Sequence, residues 1–131
     1  MSAILSTVAP PVPPFLLGRV EAPSRRDRLW GDCRNSLGIA RLLVHEGRPE
    51  ALVGTACRLS VESGCRAVLE QLGLPYDGDL DQALLDLEVE AEWAASAGGV
   101  SPRALLLAAE RTVGSIAAFL RDADPGRSWG F

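Results

Sequence analysis

The stretch from Pro49 to Leu72, PEALVGTACRLSVESGCRAVLEQL, constrains the fold more than any other part of the chain. It spans nearly seven helical turns, at about 3.6 residues per turn. Val53, Cys57, Ser60, Val61, Gly64 and Val68 recur at spacings of three and four and mark an inner face of mostly small residues. Pro49 suits the first turn of such a helix, Gly73 ends it and Pro75 prevents its continuation. In the middle stands Glu62, a carboxylate that must be solvated, paired or functional.

Three further segments carry the same periodicity. The first is expected from Ser24, a good N-cap, to Glu46, with Gly47 just past its end. Its stripe is Leu29, Trp30, Cys33, Leu37, Ala40 and Val44, and the interior glycines Gly31 and Gly38 point to places where another helix approaches closely. The third helix is expected over Asp79 to Ala97, stopped by Gly98 and Gly99, with Leu80, Leu84, Leu87, Ala91 and Ala94 on one stripe. The fourth opens on Ser101 and Pro102 and carries Leu105, Ala109, Val113, Ile116 and Leu120 as far as Asp124 and Pro125. Short connections between helices of about 30 Å predict an all-α, antiparallel up-down four-helix bundle over residues 24–124. No strand pattern and no internal repeat is present.

Ahead of the bundle, residues 1–23 form a proline-rich N-terminal arm. Pro10, Pro11, Pro13, Pro14 and Pro23 favour extended conformations, and Ile4, Leu5, Phe15, Leu16 and Leu17 need apolar cover, from this subunit's core or a neighbour's. Residues 125–131 are a C-terminal tail whose Trp129 and Phe131 either fold back on the bundle or anchor an interface.

A chain of 131 residues, 47% hydrophobic, has material for one core. The formal charge of -4 argues against a general nucleic-acid binder, although Arg25, Arg26 and Arg28 make a local basic patch. All 13 basic residues are arginine, a usage that suits a high-GC bacterial genome. Cys33, Cys57 and Cys65 lack CxxC spacing and lie in apolar-periodic segments, so they are read as reduced, buried hydrophobes and the compartment as cytoplasmic. The N-terminus has no basic start and its prolines break the apolar run that a signal peptide needs; no run of about 18 apolar residues predicts a membrane span.

The segments IARLLVHEG and ACRLSVESGCRAVLEQLG together resemble the HEPN family of prokaryotic four-helix bundles. The family's alanine-rich second helix carries a glutamate, a basic residue and a short apolar run, matched here by Glu62, Arg66 and Ala67-Val68-Leu69; AAERTVGSIAAFLRDADP is similar to its last helix. The resemblance covers roughly residues 25–124. It implies a homodimer and, among non-catalytic members, a helical subunit of a toxin-antitoxin or nucleotidyltransferase pair. Members that cleave RNA use an arginine and a histidine near the start of a late helix. This chain departs from that pattern, because its only histidine, His45, follows Arg41 by one turn on the first helix. Arg41 and His45 are therefore the candidate catalytic pair of an alternative ribonuclease reading, for proton transfer and phosphate charge. The competing role for His45 is a favourable partner of the helix dipole.

The remaining candidates are binding residues. Arg58, Glu62 and Arg66 are spaced one turn apart as an ion ladder, worth roughly a few tenths of a kcal/mol per pair if exposed. In a groove between helices they would instead fix a partner or an anionic ligand, and with Trp30 they give a third reading, a small-molecule-binding bundle. Asp77, Asp79, Asp81 and Glu88 imitate a calcium loop, but Gln82 occupies the position that needs glycine and a helix start explains the acidic residues. One histidine cannot build a three-histidine or di-iron site, and no phosphate-binding glycine loop or serine elbow occurs, so no metal or cofactor is expected.

Overall fold

The computed structural model of the chain describes residues 23–87 and 101–131. The arm before Pro23, the segment from Glu88 to Val100 and the expectations that fall on them lie outside the described residues. All regular elements among the described residues are helices: α1 (Arg25–His45), α2 (Glu50–Leu72), α3 (Leu80–Asp86) and α4 (Pro102–Ala123).

The boundaries follow local chemistry. Ser24 Oγ accepts the Asp27 amide at 3.1 Å and Ser101 Oγ accepts the Ala104 amide at 3.2 Å, each satisfying an otherwise orphaned N–H of the first turn. Asp79 caps α3 by accepting from the Gln82 amide at 3.0 Å. Pro49 stands one place before α2, as a cap with no side-chain hydrogen bond, rather than within its first turn. Gly47 (φ 68°) and Gly73 (φ 71°) take the left-handed conformation that closes α1 and α2. The next residues complete both closures, Arg48 donating to Leu43 O and Leu74 to Leu69 O at 2.9 Å. The described part of the third helix ends at Asp86, where Leu87 forms its cap.

Helix α2 is the centre of the packing, with α1 and α4 against it. Contacts fix the directions. The Arg25–Glu70 ion pair and the bond from Ser60 Oγ to the Cys33 carbonyl set α1 antiparallel to α2. Arg26–Asp124 and Arg41–Glu110 set α4 antiparallel to α1. The expected inner faces of α2 and α4 are buried, from Val53 to Val68 and from Leu105 to Leu120. Leu29, Trp30, Cys33, Leu37 and Ala40 are buried on α1, whereas Val44 is partly buried at the margin of the core.

The glycine expectation needs correction. Among the described residues, a Cβ added at Gly31 or Gly38 would meet no atom within 4 Å, so none of the described helices crosses there. The close approach is at Gly64 instead, where a Cβ would lie 3.0 Å from Ile116 Cδ1 and 3.1 Å from Cys33 Sγ. Three helices meet at that point because each contributes a small or slender side chain.

The C-terminal tail folds back onto its own bundle. Trp129 is buried, packs edge-on to Trp30 with ring centroids 5.8 Å apart, and donates its indole N–H to the Asp124 carbonyl at 3.0 Å. Arg26 stacks on the Trp129 ring at 4.9 Å and bonds Gln71, Asp27 and Asp124, and Arg127 pairs with Asp27. Tail, α1 and α2 are thereby clamped at one end of the bundle.

Candidate functional site

A seam runs along the outer side of α1 and α2, away from α4. One stripe of α1 (Arg25, Arg28, Asp32, Asn35, Ser36, Ile39, Leu43) and one of α2 (Arg66, Leu59, Thr55, Leu52) face it, with spacings of three and four. Because the helices are antiparallel, the seam has two chemically different ends. At the start of α1 a cavity of about 400 Å³ is lined by Arg25, Arg28, Asp32, Asn35 and Arg66 beside Leu29 and Gly31. Farther along, one of about 240 Å³ is lined by Ser36, Ile39, Leu43, Leu52, Thr55, Ala56 and Leu59. Asn35 and Ser36, consecutive in sequence, stand where the basic end gives way to the apolar one.

The apolar end is unusual for a surface. Ile39 (54%), Leu52 (45%) and Leu59 (50%) are large aliphatic side chains left half in water, and Leu42 (55%) is close by on α1. Single exposed leucines are ordinary, but a contiguous aliphatic patch rimmed by polar residues marks a place where something docks. At the other end, three guanidinium groups face one carboxylate in the cavity, so the local charge is positive although the chain is acidic. Arg25 reaches Glu70 at 3.4 Å, with both side chains well exposed, and Arg28 Nη1 donates to the Pro23 carbonyl at 2.8 Å.

The predicted site residues are distributed differently from the expectation. Glu62 forms no ion pair with Arg58 or Arg66; its Oε2 accepts a 2.6 Å hydrogen bond from the Tyr76 hydroxyl. Arg66 lies over the Tyr76 ring at 5.7 Å while lining the basic cavity, and Arg58 is exposed. Burial first, and then the hydrogen bond and charge of Glu62, push the Tyr76 phenol above its ordinary range. Tyr76 was absent from the sequence reading. The available signal was a lone tyrosine just after Pro75, able to fold back on α2.

Trp30 is 3% exposed beneath Trp129 and Phe131, so it belongs to the core and not to a ligand pocket shared with Arg58. Arg41 is engaged by Glu110 at 2.8 Å and by the Phe131 main-chain oxygen at 2.6 Å, while His45 is exposed in the last turn of α1. The structure therefore gives Arg41 a structural partner on α4.

The buried thiols offer no nucleophile at neutral pH. Desolvation pushes Cys33 and Cys57 up to about 11 and Cys65 up to about 12, so each is held protonated. Asp77 and Asp79 accept backbone amides in the turn before α3, and no cluster of three or more His, Cys, Asp or Glu suited to a metal occurs among the described residues. No helix among the described residues is long and apolar enough to cross a membrane.

Neither the seam nor Tyr76 stands out in the sequence pattern. The seam's signal was the set of aliphatic residues left over once the core stripes are assigned: Ile39, Leu42 and Leu43 on α1, Leu52 and Leu59 on α2. Set against known proteins, the chain matches no family model, no curated protein and no solved structure.

Proposed function

We propose that the chain is a non-catalytic association module, an HEPN-like helical subunit that binds another protein chain along the α1–α2 seam. The observation that carries the reading is the half-exposed aliphatic set Ile39, Leu52 and Leu59 around a concavity, next to a basic end that gives a partner a fixed direction. The antiparallel sequence of α1, α2 and α4, with α3 starting beside the end of α2, supports an up-down four-helix bundle. The first partner is a second copy of the chain, and a nucleotidyltransferase-like or toxin-antitoxin partner would use the same face. Free, protonated thiols suit a reducing cytoplasm.

Light scattering on the full chain tests this directly. The mass is expected to rise toward that of a dimer with concentration, and Leu59→Glu, at a half-exposed position, should keep the protein monomeric with an unchanged helical circular dichroism spectrum. A wild-type chain that remains monomeric at its highest soluble concentration would overturn the homodimer.

A further inference from the structure

We propose that the cavity at the start of α1 is a binding site for a small phosphate monoester, whose dianion is gripped by Arg25, Arg28 and Arg66. Such a ligand needs no partner chain, so the site is independent of association along the seam. Its centre is a half-buried charge without a counter-ion. Arg66 lies in the cavity wall and pairs with no carboxylate among the described residues. The nearest acidic neighbour along α2 is Glu62, one turn away. That carboxylate is taken by the Tyr76 hydroxyl at 2.6 Å, while the Tyr76 ring lies 5.7 Å from the Arg66 guanidinium and supports it by a cation–π contact. Tyr76 thus keeps Glu62 from neutralising Arg66 and leaves the guanidinium to the cavity.

The other two cations are available as well. Arg28 uses only Nη1 on the Pro23 carbonyl, and a guanidinium carries further N–H donors. Arg25 meets Glu70 at 3.4 Å with both side chains in water, a weak pairing that a better-placed anion displaces. Asp32 is the one carboxylate in the lining, and Asn35 adds a neutral amide. Three guanidinium groups against one carboxylate leave an excess of positive charge that matches a phosphate monoester, at about −1.5 to −2 near pH 7. A carboxylate or a phosphodiester carries a single charge and matches it less well. Guanidinium forks grip phosphate oxygens bidentately, and arginines from two helices approach a tetrahedral group from different sides.

The rest of the cavity has room for an organic body. Its volume of about 400 Å³ exceeds what a bare phosphate fills and lies within the range of small-ligand sites, about 300–1,000 Å³. Gly31 lines it from inside α1, where glycine weakens a helix, and a Cβ there would meet no atom within 4 Å among the described residues. The missing side chain leaves the helix backbone open to the ligand beside the apolar Leu29.

Isothermal titration calorimetry on the full chain tests the site, with phenyl phosphate as the probe and inorganic phosphate and dimethyl phosphate as references. Phenyl phosphate should bind saturably and more tightly than either reference. Arg66→Gln should weaken it about tenfold or more, as the loss of a charge-assisted hydrogen bond does, whereas Arg103→Gln, which removes the same charge from an exposed position on α4, should leave it unchanged. No saturable binding, equal losses in the two variants, or equal affinity for dimethyl phosphate would overturn the proposal; inorganic phosphate bound as tightly as the ester would overturn the organic body. Tyr76 is a positioning residue and has its own readout. Tyr76→Phe keeps the ring but frees Glu62 to neutralise Arg66, so affinity should fall, and adding Glu62→Gln should restore it; a loss that Glu62→Gln leaves in place would overturn that role. Phenyl phosphate binding by a chain that stays monomeric in light scattering would remove the homodimer and leave this site, and a dimer that binds no phosphate would do the reverse.

Discussion

Replacing Gly64 by alanine tests the packing of the bundle at its tightest point. In an exposed helix position the change would stabilise, because alanine exceeds glycine in helix propensity by about 1 kcal/mol. At Gly64 the added methyl lies 3.0 Å from Ile116 Cδ1, 3.1 Å from Cys33 Sγ and 3.5 Å from Ile116 Cγ2. A methyl end can often swing aside, but Ile116 is fully buried and Cys33 Sγ sits 3.6 Å from Ser60 Oγ, whose own bond fixes it to α1. Overpacking of a closed core costs about 1–3 kcal/mol, and the upper half of that range applies where two elements must separate together. Subtracting the propensity gain leaves a net loss of about 1–2 kcal/mol.

Gly38→Ala is the internal reference, since that position is exposed with nothing within 4 Å and should gain up to about 1 kcal/mol. Urea unfolding followed by circular dichroism at 222 nm should therefore separate the two variants by about 2–3 kcal/mol, with unchanged m-values. In thermal melts Gly64→Ala should fall by a few degrees, at about 3–5 °C per kcal/mol for a chain of this size. A Gly64→Ala protein as stable as the wild type would refute the reasoning, because it would mean that α1, α2 and α4 do not converge there.

Three other outcomes follow from the same contacts. Trp30 Nε1 is buried without a hydrogen-bond partner, so Trp30→Phe removes an orphaned donor and should cost under about 1 kcal/mol in urea melts, whereas Trp30→Ala should cost about 3–5 kcal/mol; equal losses would contradict the assignment. Tyr76→Phe should cost about 1–2 kcal/mol at pH 7 by freeing Glu62 of its donor. The folded phenol titrates above its unfolded value, so its contribution is complete below about pH 10 and shrinks as pH rises beyond it, and the gap between wild type and Tyr76→Phe should close in alkaline melts. A thiol reagent at pH 8 should label none of Cys33, Cys57 and Cys65 in the native protein and all three in denaturant; rapid native labelling would show that the three-helix junction opens.

The features legible in sequence were those written locally. Ser24, Gly47, Gly73, Asp79 and Ser101 announce helix ends because a cap or a left-handed turn involves neighbours within about five residues, and the core stripes repeat within a single helix. Pairings across the fold leave no such trace. Glu62 is 14 residues from Tyr76 and Arg41 is 69 from Glu110, and in each case the sequence offered a nearer neighbour, Arg58 or Arg66 for the first and His45 for the second. An arginine one turn from a glutamate is a weak attraction in water, worth roughly a few tenths of a kcal/mol. A phenol delivered by the Pro75 turn into a half-buried position gains more from the same carboxylate, because part of the solvent is already displaced. The groove was hidden for a related reason. Leucine and isoleucine are tolerated anywhere on a helix surface, so Ile39, Leu52 and Leu59 gain meaning only when α1 and α2 lie antiparallel and bring their two outer stripes together.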